Sequence, residues 1–139
     1  MPRSDTIRID LPAQYRYLNV VSACIRAVLE RFPGDSISTE VVYHIQLAVH
    51  ELCNNIVEHA YGHEEGQLQI RFCIPQDHQA LIIDLYDTGA PFNPTAVVQP
   101  TLTAPQVEGY GLFLAHQMLD EIHYKLEEEQ NHWHLEKYL

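Results

Sequence analysis

Residues 67–89 read QLQIRFCIPQDHQALIIDLYDTG. Apolar residues occupy every second position on both sides of Pro75–Gln79, a stretch of turn-forming residues. A period of two places the apolar side chains of a strand on one face. The segment therefore predicts an antiparallel strand pair, Gln67–Ile74 with Ala80–Tyr86, that buries one face against a core.

Helical spacing appears on both sides of this pair. Three segments carry apolar residues at the spacing of a helix with one buried side: 14–32, 39–60 and 110–121. Ser38 or Thr39 can cap the second helix, and Glu40 would lie in its first turn, where a negative charge is favourable.

The remaining segments complete an α+β chain. Strands are predicted at 6–11, 123–128 and 132–138, the last two joined by a turn at Gln130–Asn131. Segment 90–108 contains four prolines and no periodicity, which is typical of a functional lid. The order β-α-α-β-β-lid-α-β-β predicts one domain over 1–139. It is a two-layer sandwich of a mixed, mostly antiparallel sheet with three helices on one face.

The amino-acid composition indicates which kinds of molecule and which compartment this chain is suited to. The 139 residues are 46% hydrophobic and carry a formal charge of −11, which favours a folded domain and disfavours direct nucleic-acid binding. No apolar run approaches the length of a membrane span, so no membrane contact is expected. Three separated cysteines, Cys24, Cys53 and Cys73, predict reduced thiols and a cytoplasmic protein.

Three short motifs bear residues that are able to bind a ligand. Glu51 and Asn55 are one turn apart on the second helix and offer oxygen ligands to a cation such as Mg²⁺, although a solvated helix face has the same pattern. Asp87 ends a strand two residues before Gly89, which suits a flat ring with an amino group but also an ordinary turn. Gly109–Gly111 opens the third helix, as an anion site or a flexible helix start would.

Histidines offer weaker alternatives. His50–Glu51 begins a zinc-protease pattern, but Asn54 stands where the second histidine would be. His59 with His63, or His132 with His134, are pairs able to bind metal. Nine histidines in an acidic domain are more often scattered surface residues.

The order of the three motifs carries a family resemblance. The stretches ELCNNIVEHAY (51–61), DTGAPFNP (87–94) and GYGLFLAHQMLD (109–120) resemble the bacterial anti-sigma-factor serine/threonine kinases. These kinases are a branch of the GHKL superfamily, which also holds gyrase, histidine-kinase and mismatch-repair ATPases. The resemblance implies a Bergerat-type ATP-binding fold.

The resemblance also implies roles for individual residues. Glu51 would be the general base, and Asn55 would ligate Mg²⁺ at the phosphates of ATP. Asp87 and Gly89 would receive the adenine ring. The remaining implied nucleotide contacts are Phe92, Gly109, Tyr110, Gly111 and Leu112.

The implied function is that of a kinase acting as an anti-sigma factor. It would phosphorylate an anti-anti-sigma protein of the STAS type and sequester a sigma factor, and homodimers are common among such proteins. Family members often carry an arginine in the lid, whereas residues 90–108 contain neither Lys nor Arg. The alternative is an ATP-binding interaction module without significant kinase activity, and the plainest alternative is an acidic α+β domain with coincidental motifs.

Overall fold

The sheet is built from five strands in the computed structural model, which describes residues 3–33, 37–61, 66–91 and 110–139, with backbone only for 59–61 and 110. The strands are β1 (Ser4–Pro12), β2 (Gln67–Pro75), β3 (Ala80–Asp87), β4 (Glu121–Glu127) and β5 (Gln130–Tyr138). Their spatial order is β1-β2-β3-β5-β4. All four pairings are antiparallel, so the α+β class is confirmed without the parallel pair that a mixed sheet would contain.

Three helices follow the predicted segments. They are α1 (Leu18–Leu29), preceded by a 3₁₀ turn at Tyr15–Tyr17, α2 (Thr39–Asn55) and α3 (Tyr110–Met118). Ser38 is the cap of α2, because its hydroxyl accepts a hydrogen bond from Val41 N at 3.1 Å. The helical path of α2 continues as a wider π-helical turn over Ile56–Tyr61, close to the predicted end at residue 60.

The helices cover one face of the sheet. Alternate residues of β2 and β3 are buried, and they share one hydrophobic cluster with the apolar sides of α1, α2 and α3. The residues between them are only partly buried, so the opposite face of the sheet stays accessible. The predicted inward positions of β2 and β3 are confirmed. Ile7 in the edge strand β1 is 41% exposed, whereas Leu11 near the end of the same strand is 7% exposed.

The β4–β5 turn lies earlier than predicted. Glu127 pairs with Gln130, so Glu128 and Glu129 form a two-residue turn, with φ values of 49° and 64°. Two successive positive φ values are the pattern of a type I′ hairpin, which suits the twist of the strands. The expected turn at Gln130–Asn131 was therefore wrong, and Asn131 is an inward-facing residue of β5 that is 2% exposed.

The structure also describes the state of the three cysteines and the length and apolarity of the helices. Cys24, Cys53 and Cys73 are all free thiols, and burial raises the pKa of Cys53 to about 12, which keeps it protonated and unreactive. Among the described residues, no helix combines the length and apolarity needed to cross a membrane.

Candidate nucleotide site

Glu51 and Asn55 stand on the last two turns of α2. Both side chains are half-buried, beside the fully buried Leu52 and Cys53. Residues four apart in a helix project from the same side, so the carboxylate and the amide lie one above the other at the border of the core. This placement removes both groups from full solvation without burying a charge.

Gly111 in α3 lies against Glu51. A Cβ atom added at Gly111 would overlap Glu51 Oε2 and would stand 3.3 Å from Glu51 Cβ. A side chain at Gly111 would therefore force the Glu51 carboxylate to move, so this glycine allows the Glu51 side chain to lie against α3. The structure brings together the first and third motifs, which are 60 residues apart in the sequence.

The start of α3 supplies backbone donors. The first N–H groups of a helix have no acceptor within it, and α3 begins at Tyr110. The side chain of Leu112 is buried in the core, 8% exposed, so the predicted nucleotide contact of this residue falls to its backbone. Gly109 and Phe92, like most of the predicted lid at 90–108, lie outside the described residues, as does the side chain of Tyr110.

Asp87 is a buried carboxylate at the end of β3. It is 3% exposed and projects from the helix-covered face, like Leu85 two residues before it. Its Oδ1 accepts hydrogen bonds from Gly89 N at 2.9 Å and from Asn131 Nδ2 at 2.8 Å. Among the described residues, no hydrogen bond reaches Oδ2. The local Asp-x-Gly turn thus holds one oxygen and leaves the other without such a bond.

The burial of Asp87 shifts the pKa of its carboxyl upward. Burial raises the pKa of this carboxyl above its ordinary value of 3.8, and the hydrogen bonds from Asn131 and Gly89 offset part of that rise. Burial of a carboxylate costs stability, and carboxyl groups with pKa values perturbed in this way are concentrated at functional sites. Asp87 is therefore the described residue whose electrostatics best fit a binding role.

Asn131 is a site residue that sequence reasoning missed. Its Nδ2 donates to Asp87 Oδ1 and faces the backbone oxygens of Gly89 and Ala90 at 3.1 and 3.3 Å. Its Oδ1 accepts from the Tyr124 hydroxyl. Every atom of the amide thus has a complementary partner, and Asn131 anchors both Asp87 and the backbone that leads into segment 90–108. Only its pairing opposite Asp87 in the sheet would have revealed it.

The described contacts leave the convergence of all three motifs as a prediction. Glu51 meets Gly111, and Asp87 meets Gly89 and Asn131. No hydrogen bond or ion pair between described residues joins Asp87 to Glu51 or Asn55. All of these groups nevertheless belong to the layer between α2, α3 and the covered face of the sheet.

The family model for the histidine kinase-like ATPase domain matches residues 11–137. This chain belongs to that family. The match spans all three helices, strands β2 to β4 and all but the last residue of β5, and includes Glu51, Asn55, Asp87 and Asn131; only the last two residues of β1 fall within it.

Relatives within this ATPase family agree with the resemblance read from the motifs. The chain is 27% identical over 125 residues to the serine-protein kinase RsbW of Bacillus velezensis, covering 85% of this chain and 76% of the relative. It is 27% identical over 126 residues to the RsbW of Bacillus subtilis, covering 86% and 77%. The recognised family is thereby confirmed.

Two solved structures share the ATPase fold. One holds the RsbU and RsbW domains of a Mycobacterium tuberculosis protein, with a TM-score of 0.68 and 19% identity. It covers 97% of this chain, and this chain spans about a third (32%) of that structure. The other is the histidine kinase domain of a blue-light activated kinase from Erythrobacter litoralis, with a TM-score of 0.59 and 18% identity over 93% of this chain and 62% of that one.

Proposed function

We propose that this chain is an ATP-dependent serine/threonine protein kinase that acts as an anti-sigma factor in the cytoplasm. It would phosphorylate a STAS-type anti-anti-sigma protein and sequester a sigma factor. Membership of the histidine kinase-like ATPase family and relatives named serine-protein kinase support the ATP and kinase parts. The single observation that carries the proposal is the buried, hydrogen-bonded carboxylate of Asp87 at the predicted adenine position.

Asp87 is suited to recognise adenine. Because Gly89 and Asn131 both donate to Oδ1, we assign Oδ2 to the amino group of adenine, a hydrogen-bond donor. Burial strengthens such a bond, since little water competes for the carboxylate. Gly89 gives the flat ring room beside the backbone.

The phosphates are assigned to the end of α2 and the start of α3. The N–H groups of Gly111 and Leu112 would donate to phosphate oxygens, with the positive end of the helix dipole behind them. Asn55 offers a half-buried amide oxygen of the hard type that Mg²⁺ prefers, so this side chain fits the ion. Bound there, Mg²⁺ would neutralise charge on the phosphates.

Glu51 is the proposed general base. Its carboxylate would accept the proton of a substrate serine or threonine hydroxyl while that oxygen attacks the γ-phosphate, the bond to the β,γ-bridging oxygen breaks and ADP leaves. Gly111 supports this role, because the missing Cβ is what allows the Glu51 carboxylate to stand against the first turn of α3. The position of Glu51 is thus set by packing between two helices.

The net charge is compatible with the sigma-factor partner that the family resemblance implies. With 19 acidic residues against 8 Lys and Arg, the chain attracts basic surfaces and repels acidic ones. A sigma factor that presents a basic face would satisfy this preference. The charge supports the class of surface and does not by itself name the factor.

The test is phosphotransfer from labelled ATP to candidate STAS domains. Wild type should label a serine or threonine of one such domain. Glu51→Ala should bind ATP as wild type does and lose about 10²- to 10⁴-fold in transfer rate, the usual contribution of a general base. Glu30→Gln, an exposed acid at the end of α1, is the matched control and should transfer normally. Equal transfer by wild type and Glu51→Ala would contradict the assignment.

A second candidate function has one observation in its favour. Residues 90–108 contain no Lys or Arg, so the lid supplies no cation to the transferring phosphate. Arginine at that stage of a phosphoryl transfer is worth about 10³- to 10⁵-fold in rate. The alternative is therefore a nucleotide-gated interaction module without significant kinase activity. ATP binding with no labelled product from any candidate substrate would support the module over the kinase.

A further inference from the structure

A second cluster of polar side chains lies on the sheet face that the helices leave open. His132 and His134 alternate with the buried Trp133 along β5, and Asp84 in β3 pairs directly with His134. His132 Nε2 and His134 Nδ1 each lie 2.7 Å from Asp84 Oδ1. Ligand atoms from the three residues all lie within 4.8 Å of one another, so they converge on one point.

In one tautomer, the hydrogen bonding of His134 matches that of a metal-binding imidazole. Its second nitrogen, Nε2, lies 2.9 Å from Glu136 Oε1. A neutral imidazole has one N–H group, and if Nε2 donates it to Glu136, the Nδ1 lone pair points at Asp84. Histidines that bind metals commonly have this arrangement, with one nitrogen on the ion and the other donating to a carboxylate.

We propose that Asp84, His132 and His134 form a binding site for a divalent transition-metal cation, with Zn²⁺ as the best match. Two imidazoles and one carboxylate suit zinc, with a water in the fourth position, whereas Mg²⁺ and Ca²⁺ prefer oxygen ligands throughout. Tetrahedral zinc with bonds of about 2.0–2.2 Å holds its ligand atoms about 3.3 Å apart. The 2.7 Å separations need to widen by roughly half an ångström, which small side-chain rotations achieve.

The backbone presents the ligands in advance. Residues two apart in a strand project from the same face, so the His132-x-His134 pair needs no turn or loop to meet. The ring of His132 is stacked on that of Tyr86, with centroids 4.4 Å apart. The Arg71 guanidinium lies over the Tyr86 ring, 4.9 Å from its centroid. The side chains of Asp84 and His132 are 16% and 17% exposed, which limits their motion and still admits an ion.

The expected role is to fasten β3 to β5. Asp84 comes three residues before Asp87, and His132 follows Asn131, but the two pairs project from opposite faces of the sheet. A metal on the open face would therefore brace the two strands that hold the Asp87–Asn131 hydrogen bond. It would not touch the nucleotide, so this inference stands apart from the proposed kinase activity.

The direct test is binding of Zn²⁺ alone to the full chain. Protein freed of metal with a chelator is titrated with Zn²⁺ by calorimetry, in competition with a chromophoric chelator. Wild type should bind one ion per chain with tight affinity. Glu136→Gln, which keeps the shape of the side chain that orients His134, should weaken zinc binding about 10- to 100-fold. His132→Gln removes a ligand and should weaken it at least as much.

Controls separate this cluster from the other histidines of the chain. His44→Gln removes a partly buried imidazole of α2 and should bind zinc as wild type does. Circular dichroism establishes that each variant is folded, and zinc should raise the melting temperature of wild type and His44→Gln but not of His132→Gln. Cobalt(II) in place of zinc should give the strong visible bands of a four-coordinate site in wild type.

Either of two results would contradict the proposed zinc site. Absence of zinc binding, or equal zinc affinity in wild type and His132→Gln, would mean that protons and hydrogen bonds alone hold this cluster. ATP binding measured on the same samples keeps the two proposals apart. If wild type binds ATP but no zinc, only the metal site is overturned, and if wild type binds zinc but no ATP, only the nucleotide site is overturned.

Discussion

Substitution of Asp87 by asparagine separates the folding role of this side chain from its binding role. In wild type, Oδ1 accepts hydrogen bonds from Gly89 N and Asn131 Nδ2. The amide oxygen of asparagine can accept both bonds in the same place. The other oxygen, which we assign to the adenine amino group, becomes an NH₂ group and faces another donor. The fold should survive and ATP binding should not.

The size of the effect follows from the bond that is lost. A hydrogen bond to a charged group contributes about 1.5–3 kcal/mol, and a donor left unsatisfied adds about 1 kcal/mol or more. A total of about 2.5–4 kcal/mol corresponds to roughly 60- to 700-fold weaker ATP binding.

The same substitution should not lower the free energy of unfolding, although it weakens ATP binding. Because the pKa of Asp87 is raised in the folded state, the folded protein holds this proton more tightly than the unfolded chain. Its contribution to stability therefore falls as pH rises from 3.8 through the raised value, and the variant is free of that loss. At pH 7 the absence of this loss should make the variant at least as stable as wild type. The hydrogen bonds from Gly89 and Asn131 to a neutral amide oxygen are weaker than those to a carboxylate, and this weakening opposes the gain.

The assay pairs calorimetric titration with ATP and urea unfolding at pH 7. The matched control is Asp77→Asn, because Asp77 Oδ1 also accepts from the N–H two residues on, Gln79 N at 3.0 Å, but is exposed at the other end of the β2–β3 hairpin. The control should bind ATP normally. A folded Asp87→Asn protein that binds ATP as tightly as wild type would refute the adenine assignment.

Three further predictions concern the neighbouring contacts and the late hairpin. Gly111→Ala should displace the Glu51 carboxylate and lower phosphotransfer about 10²-fold, with the fold preserved because alanine favours a helix; an unchanged rate would show that the approach of α2 and α3 is looser than described. Asn131→Ala should lower the free energy of unfolding by about 1–3 kcal/mol and weaken ATP binding, since Asp87 loses its partner; chemical denaturation with parallel titration measures both, and a neutral result would contradict the role of Asn131. Glu128→Asn combined with Glu129→Gly should raise the melting temperature by relieving two positive φ values, a gain of about 1–2 kcal/mol that a scan of wild type and variant would reveal or exclude.

Local periodicity was sufficient for most of the architecture. The alternation in residues 67–89 fixes both the strand pair and its buried face, because side-chain direction in a strand depends only on parity. The helical segments were recognisable for the same reason, with a period of 3.6. Ser38 as a cap also follows from local chemistry, since its hydroxyl reaches a backbone N–H three residues on.

The β4–β5 turn was predicted at the wrong residues because the residues that form it are not typical of turns. Asn131 is a common turn residue, whereas two glutamates rarely adopt positive φ. The error hid the most informative residue of the site, since a turn at Gln130–Asn131 leaves Asn131 outside the ladder. With the turn at Glu128–Glu129, Asn131 faces Asp87 across β3 and β5.

The two polar clusters depend on pairing between distant segments. Asp87 and Asn131 are 44 residues apart in the chain, and Asp84 and His134 are 50 apart. Nothing local to either residue indicates its partner, because the β3–β5 pairing is set by the packing of the whole sheet. The histidine pair at 132 and 134 was visible in the sequence, but its carboxylate ligand was not.

The central claim is that the end of α2, the end of β3 and the start of α3 surround one nucleotide. A crystal structure of the chain with Mg²⁺ and a non-hydrolysable ATP analogue tests it most directly. The account predicts the adenine amino group on Asp87, the ion on Asn55, and the phosphates at the N–H groups of Gly111 and Leu112. A nucleotide bound elsewhere, or bound with its adenine away from Asp87, would contradict it.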